Sequence, residues 1–581
     1  MKLQKIILFF ILFFFSLSVS FCQTDNKPAI DSLKVQRLAG LCRVWGFLKY
    51  YHPTIQKGKI DWDSTLVHYI PKILKVSNSE EYNKTINEFI LLPGKVKKLS
   101  RPYKYLPKDT SYNNFDHAWV SNDKLFTKEN SRLLFEVIEN YVPRENVYLN
   151  KEFNIYYDTI GFKKYYYKNE YNPDTAHALL ALYRYWNIIN YFFAYKKITD
   201  ENWNDVLIEF IPKILKNAGN VNFYLIMVEM IAKINDCHSY YENYNFNHEI
   251  NGVIKSWYYG QPRPLKVNFI ENKTIITAIS DSLSLNTNIK VGDIILKING
   301  TDVNEKRKEV GKYCGCSHKL SVEREINRGL LITSLNKKEI NLTVLDSNNT
   351  VKTDSFPNSP KYWQWHKGKV MQKFSDSIVY INLAYMPKNN DMKEALKMLK
   401  NTKALIFDLR NGSNESLSEI FRRIPKLNHK NAIYLKAYEY NLKYPGAFKA
   451  RNQRLIFNPD WSNIDLGLIT PHKKYKGKVI FLINEHAQSA EEMHLMRFKT
   501  ACKVTLVGSN TSGTDGIAAS YLIQKNFLAY FSGDAVFWPD GSPTQRVGIK
   551  PDIYVLPTIK GIRAGKDEIL ERALEYIRTG K

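Results

Sequence analysis

The chain has 581 residues, 44% of them apolar, and its 83 Lys and Arg against 57 Asp and Glu leave a formal charge of +26. A length of this order exceeds what one hydrophobic core supports and predicts three or four units. The charge alone would suit a nucleic-acid partner, but the lysines are spread over the whole length without a basic arm or nucleic-acid motif, so a solvated basic surface is expected and no nucleic acid.

At the N-terminus, a short basic start, Met1 to Lys5, leads into the apolar run Ile6 to Val19 and then Ser20-Phe21-Cys22-Gln23. That is the layout of a secretory signal, too short for a membrane span. Residues 1–22 are therefore read as a signal peptide, and the mature protein is expected to be exported: periplasmic, in the cell envelope or secreted. Cys22 raises the alternative of a lipid anchor, which the bulky Phe21 before it disfavours. No later segment reaches spanning length without charges. The other cysteines, Cys42, Cys237, Cys314, Cys316 and Cys502, are too few for a disulfide scaffold and form no CxxC pair with partner histidines, so no metal and no cofactor are expected. A disulfide between Cys314 and Cys316, one residue apart, would be strained.

The N-terminal half holds an internal repeat at an offset of 141 residues. Arg43, Trp45, Tyr50 and Trp62 match Arg184, Trp186, Tyr191 and Trp203, and Ile70-Pro71-Lys72-Ile73-Leu74-Lys75 recurs from Ile211 to Lys216. Leu38, Leu41, Trp45 and Leu48 recur at helical spacing, as do Leu179, Leu182, Trp186 and Ile189, so residues 23–110 and 175–261 each predict a helical unit whose aromatics are packing. Residues 111–174, rich in Tyr and Asn, connect them, with a helix expected over Glu129 to Tyr141. Only the second copy continues into Ile234-Asn235-Asp236-Cys237-His238-Ser239; the first has Lys97 where the second has His238.

Beyond Pro264 the pattern turns to short β runs at Leu265 to Phe269, Thr274 to Ile279, Ile294 to Ile298 and Ile340 to Val344, with turns at Val291-Gly292-Asp293 and Asn299-Gly300. From about Gln372 strands alternate with helices: strands at Ile378 to Leu383, Ala404 to Phe407, Val479 to Ile483 and Val504 to Val507, helices at Met392 to Leu399, Ser416 to Arg423 and Ala490 to Thr500. That predicts an α/β core with buried strands. Ser489 stands between one such strand and helix. Taken alone, it suits a helix cap with Glu492 completing a capping box, or a nucleophile whose oxyanion would meet the N–H of Ala490.

Two sets of motifs carry resemblances. Ile289 to Gly300 resembles the signature of PDZ domains, which implies that residues 262–346 form a PDZ-like β module taking an extended peptide at a sheet edge near Val291, Gly292 and Asp293. In order along the core stand Asp408-Leu409-Arg410-Asn411-Gly412, Gln488-Ser489-Ala490-Glu491, Gly508-Ser509-Asn510-Thr511-Ser512-Gly513 and Gly548-Ile549-Lys550-Pro551-Asp552. Together with the module before them, these resemble the tail-specific, or C-terminal processing, serine peptidases. The fold implied is multidomain α/β: helical repeats, a PDZ-like module, and a crotonase-like αβ-spiral (ClpP/crotonase type) core over residues 360–581. The family's serine–lysine branch places its lysine where this chain has Thr514, so the tricorn-like histidine branch is implied. On that pattern Ser489 is the nucleophile, His238 the general base, and Ala490 and Gly412 supply oxyanion N–H groups. Cys237 replaces a serine of the pattern as an auxiliary residue. Gln545, in Thr544-Gln545-Arg546, replaces its acidic residue and is able to orient the base but not to stabilise its charge; Asp515 and Asp540 are candidates to compensate. The implied activity is a secreted or envelope serine endopeptidase acting on polypeptides, the alternative a catalytically inactive peptide-binding protein on the same fold. A third reading is an apolar-ligand binder, since crotonase-like scaffolds host many activities.

Overall fold

The computed structural model describes residues 31–101, 113–154, 157–161, 173–219, 222–243, 264–284, 286–331, 339–357, 370–385, 402–412, 434–454, 477–501, 503–524 and 527–581. The expected signal segment with Cys22, Cys502, and the helices expected at Met392 to Leu399 and Ser416 to Arg423 lie outside them. Among the described residues no helix is long and apolar enough to cross a membrane.

The N-terminal half is helical: α1 (Ser32–Tyr51), α2 (Trp62–Lys75), α3 (Ser79–Leu91), α4 (Lys128–Glu139), α5 (Thr175–Phe192), α6 (Trp203–Asn217) and α7 (Asn222–Ala232). Helices α1, α2, α5 and α6 start where Asp31, Asp61, Asp174 and Asn202 accept first-turn N–H groups, which settles donors that a helix leaves unpaired. The two 141-residue-shifted segments make the same contacts. Trp45 and Trp62 exchange Nε1–H bonds to each other's carbonyl (3.1 and 3.0 Å), and Trp186 and Trp203 do the same (2.7 and 2.9 Å). The segments also grip each other reciprocally. Arg184 donates to Asp63 Oδ2 (2.5 Å), while its counterpart Arg43 donates to Asn204 Oδ1 (3.3 Å). Lys49, wholly buried, completes a charged cluster by donating to Asp63 Oδ1 (2.6 Å) with its ammonium over the rings of Trp45 and Tyr148.

Next comes an antiparallel sheet in the order β1 (Leu265–Ile270), β2 (Lys273–Ile279), β3 (Ile294–Ile298), β4 (Glu339–Leu345), β5 (Val351–Pro357), accompanied by α8 (Val303–Gly311) and α9 (Lys319–Leu330). It has its own core, including Leu265, Ile276, Leu330 and Leu342. The sheet runs on past residue 346, because β5 pairs with β4 through to Pro357. The Val291-Gly292-Asp293 turn closes on itself, Asp293 Oδ2 accepting from Lys290 N (2.9 Å), and its Gly292 carbonyl takes Arg563 Nε (3.0 Å). That turn is a junction with the C-terminal segment.

The core sheet orders β6 (Met371–Ser375), β7 (Ile378–Asn382), β8 (Ala404–Asp408), β9 (Lys478–Ile483), β10 (Val504–Gly508) and the short Ile553–Tyr554, all parallel except β6. Alternate side chains face opposite ways, as a period of two requires. Leu405, Phe407, Val479 and Phe481 pack on Leu495, Met496 and Phe498 of α10 (Ala490–Ala501); Ile406, Ile480 and Leu482 pack on Ile569 and Ala573 of α11 (Glu568–Thr579). Helices on both faces explain why every residue of β8 is buried. A second sheet joins the two ends of the chain: strands Asn150–Asn154 and Tyr157–Gly161, then Ala518–Gln524 and Phe527–Ser532, and finally Tyr241–Asn243. Leu528 pairs with Glu242, which carries the segment just before Tyr241, including His238, into the core.

Candidate active site

Strand β9 ends at Ile483, and a turn brings the chain to α10 with Ser489 immediately before it. Ser489 has φ of 57°, the left-handed region that a side-chain-bearing residue adopts at a cost of roughly 1–3 kcal/mol. A helix-capping serine has extended φ and an Oγ that accepts first-turn N–H groups. Here the Ser489 hydroxyl instead donates outward to Gly516 O at 3.5 Å, the outer limit of a hydrogen bond, and Ser489 N–H goes to Thr514 O (2.9 Å). The serine is therefore held by its backbone with a loosely bound hydroxyl. Ala490 N–H, the first of α10, has no acceptor among the described residues.

Glu492 ties the surrounding loop together. Its buried carboxylate accepts from Thr511 Oγ1 (2.5 Å), Gly513 N (2.8 Å), Thr514 N (2.9 Å) and, more weakly, Ser489 N (3.4 Å). Burial pushes this carboxyl up to about 7, and the Thr511, Gly513 and Thr514 donors work against that rise. A folded-state value above the ordinary 4.5 means that the folded protein holds an extra proton between the two, so this contribution to stability is present at acid pH and lost as pH rises through that window. In melting temperatures followed from pH 4.5 to 7, the wild type is expected to lose ground relative to Glu492→Gln, whose amide does not titrate; a constant difference would contradict it.

The candidate base, His238, stands in the turn after α7. His238 Nδ1 lies 2.9 Å from Ser532 Oγ, and Ser532 Oγ donates to Asp236 Oδ1 (3.0 Å). Because the Ser532 proton is committed to the carboxylate, its oxygen accepts from Nδ1–H, and this assigns the neutral tautomer with a bare Nε2. Nε2 has no partner among the described residues. Asp236 is fully engaged, also accepting from Ser532 N (2.6 Å), His238 N (3.1 Å) and Gln545 Nε2 (3.5 Å). Burial holds His238 below the ordinary imidazole range, while Asp236 and Cys237 pull it upward. Asn235 and Arg546, neighbours of Asp236 and Gln545, also have positive φ (52° and 70°), so backbone strain gathers around this relay.

Thr514 brings the two halves together. Its carbonyl takes Ser489 N–H (2.9 Å) and its hydroxyl takes Cys237 N–H (3.1 Å); Gln488 Nε2 adds a bond to Cys237 O (3.4 Å). The residues next to the serine and the histidine thus share partners although they are about 250 positions apart. Helix α9 braces the same loops from the β module. Arg324, 4% exposed, donates to Glu485 O (2.5 Å), Ser512 Oγ (3.3 Å) and Gln488 Oε1 (2.8 Å), and His318 Nε2 bonds Thr511 O (2.6 Å). Gly513 fits between them only as glycine: its φ is 73°, and a Cβ would stand 2.9 Å from both Gly548 N and the His318 ring.

Several expectations change. The carboxylate expected to be missing is present as Asp236, two residues before the histidine and linked to it through Ser532. Gln545 bonds that carboxylate and makes no bond to the imidazole. Asp515 accepts from its neighbour Gly516 N (2.7 Å) and Asp540 from Ser542 N (2.8 Å), whereas the His238 ring bonds Ser532. Cys237 turns its sulfur away from the relay, accepting from Ser512 Oγ (3.1 Å) and Ser317 N (3.4 Å). Gly412 lies near the Ser489 turn, a Cβ there standing 3.6 Å from Glu491 Oε1, but its N–H closes its own turn on Leu409 O (3.0 Å), so of the two expected oxyanion donors only Ala490 keeps an N–H without an acceptor among the described residues. Sequence reasoning misses Asp236, Ser532 and Arg324. Asp236 lies inside the histidine motif, and Ser532 ends the apolar run Phe527 to Phe531 with a polar residue.

Residues 377–555 match the family model for peptidase family S41. Among solved structures, a mutant of CPAF aligns at 14% identity with a TM-score of 0.50, covering 70% of this chain and 98% of that one. A putative peptidase from Parabacteroides merdae aligns at 16% identity with a TM-score of 0.40, covering 70% and 97%. The photosystem II D1 C-terminal processing protease aligns at 12% identity with a TM-score of 0.37, covering 67% and 98%. At 14% identity the likeness to CPAF is one of fold alone. No curated protein matches the chain.

Proposed function

Residues 377–555 match the model for peptidase family S41, and from that premise we propose that this protein is an exported serine endopeptidase that cleaves polypeptides with Ser489 as nucleophile and His238 as general base. The observation that carries the reading is the relay His238 Nδ1–H to Ser532 to Asp236, which leaves a bare Nε2 on a buried imidazole. Serine at its own pKa is a poor nucleophile and requires such a base. His238 Nε2 takes the Ser489 proton as Oγ attacks the scissile carbonyl; the Asp236 carboxylate, acting through Ser532, stabilises the resulting imidazolium. The oxyanion meets Ala490 N–H at the start of α10. The imidazolium then gives its proton to the leaving amine, and water activated by the same nitrogen releases the acyl group. Closure of Ser489 Oγ from Gly516 O onto Nε2 is the movement that substrate has to supply, in keeping with catalytic hydrogen bonds that tighten only on binding. The β module, in its PDZ-like reading, delivers the polypeptide, and residues 1–22 direct export.

One observation favours the inactive peptide-binding alternative: the Ser489 hydroxyl bonds Gly516 O in place of His238. A fluorophosphonate probe separates the two. Labelling mapped to Ser489, lost in His238→Ala protein that melts like the wild type, is the expected result. Absence of labelling in the folded wild type would leave the binding reading.

A further inference from the structure

Behind His238 lie three thiols that the peptidase reading does not use. Cys237, Cys314 and Cys316 line one small cavity of about 20 Å³, together with Asp236, Tyr313 and Glu325. That is room for about one water molecule. Cys237 and Cys316 are buried at its wall, 6% and 4% exposed. Both sulfurs share one polar cradle. Arg324 Nη2 approaches Cys316 Sγ at 3.6 Å, Arg324 Nη1 approaches Ser512 Oγ at 3.3 Å, and Ser512 Oγ donates to Cys237 Sγ at 3.1 Å. Ser317 N adds a second donor to Cys237 Sγ at 3.4 Å. The Ser512 and Ser317 donors on Cys237 Sγ, with the Arg324 guanidinium held next to them by its bonds to Ser512 and Cys316, favour a thiolate at Cys237.

We propose that Cys237 and Cys316 are a peroxide-reactive thiol pair that closes to a disulfide beside the general base. The cavity selects the oxidant, since it admits a molecule of the size of water or hydrogen peroxide and excludes a bulky disulfide such as oxidised glutathione. The Cys237 thiolate attacks one peroxide oxygen, breaking the O–O bond and leaving a sulfenic acid and hydroxide. The Cys316 sulfur then attacks the sulfenic sulfur and loses its proton, and water leaves. Two thiols and one hydrogen peroxide become one disulfide and two waters. Burial works to raise the Cys237 thiol, yet Cys316, Arg324, Ser512 and Thr514 outweigh it and hold the group well below its ordinary range; burial pushes Cys316 and Cys314 up. The roles follow: Cys237 reacts first and Cys316 resolves.

The consequence for activity rests on the peptidase reading. Closing the bridge removes the Ser512 and Ser317 bonds to Cys237, whose backbone joins Thr514 to His238. A displacement near 1 Å of a catalytic group costs about 10²-fold in rate. Full-length protein is treated with hydrogen peroxide, alkylated, digested and mapped by mass spectrometry. A Cys237–Cys316 cross-linked peptide is expected with peroxide and not with oxidised glutathione, and Cys316→Ser protein is expected to retain a sulfenic acid at Cys237, trapped by dimedone. Recovery of both cysteines as alkylated thiols, or a Cys314–Cys316 bridge, would overturn the proposal. Fluorophosphonate labelling of Ser489 is expected to slow about 10²-fold in the cross-linked protein and return with dithiothreitol; an unchanged rate overturns the regulatory half. If reduced protein is not labelled at all, the peptidase reading fails while the disulfide map still decides the thiol chemistry.

Discussion

Asp236→Asn is expected to lower kcat on an unfolded polypeptide such as casein by about 10³–10⁴-fold while leaving KM near its wild-type value. Asp236 touches no substrate in the proposed reaction. It acts through Ser532, so its loss removes the charge that stabilises the imidazolium and the acceptor that fixes the Ser532 proton. With an asparagine amide there, Ser532 is free to donate to Nδ1, which reverses the tautomer and protonates the nitrogen that should accept from Ser489. Ser532→Ala provides the second arm, because it cuts the relay without disturbing the Asp236 bonds to His238 N and Gln545. The pH profile distinguishes positioning from mere structure. Burial already keeps His238 neutral to lower pH than an ordinary imidazole, and Asp236 opposes that shift. Removing the carboxylate should therefore move the acid limb of kcat/KM further down in pH. Wild-type kcat with an unmoved limb in both variants would show that the relay does not serve the base.

Asp63→Ala is expected to cost about 3–5 kcal/mol of stability, read as a large drop in melting temperature. Asp63 is buried between two cations, Lys49 and Arg184, one from each helical segment. Burial works to raise its carboxyl, but Arg184 and Lys49 outweigh it and hold the group ionised. Truncating it leaves two buried positive charges facing each other without a counterion. Lys49→Met should cost clearly less, because Asp63 keeps the two bonds from Arg184 and the methionine fills the space between Trp45 and Tyr148. The sign of a pH effect follows from Lys49, which burial brings down to about 8 from its ordinary 10.5. The cost of keeping it charged in the fold is present below pH 8 and fades as pH rises toward 10.5. Equal losses in the two variants would contradict this account of the cluster.

Features that depend on local periodicity are legible in the amino-acid sequence. The strand over Val479 to Ile483 forms as β9 with one residue added, because an apolar run buried on both faces has little other use. The repeated tryptophans stand out because each pair exchanges the same two indole bonds, which demands the same residues twice. Contacts set at long range are not legible in this way. Asp236 reads as an ordinary turn residue, since its function depends on Ser532 and Gln545, about 300 positions away, and spacing encodes faces but not distant partners. Gly412 misleads for a different reason: its motif gives the turn but not which way the N–H points, and a tight turn uses that N–H internally.

The relay also bears on the timing of activity. Asp236 and Ser532 are 296 residues apart, and the strand that presents Ser532 pairs with Tyr241–Asn243 near the histidine. An emerging chain can complete every helix of its first half with His238 in place and still have no oriented imidazole. The same holds for a molecule clipped anywhere before Phe527. In the proposed reaction, the base is oriented in one step, when the last strands dock.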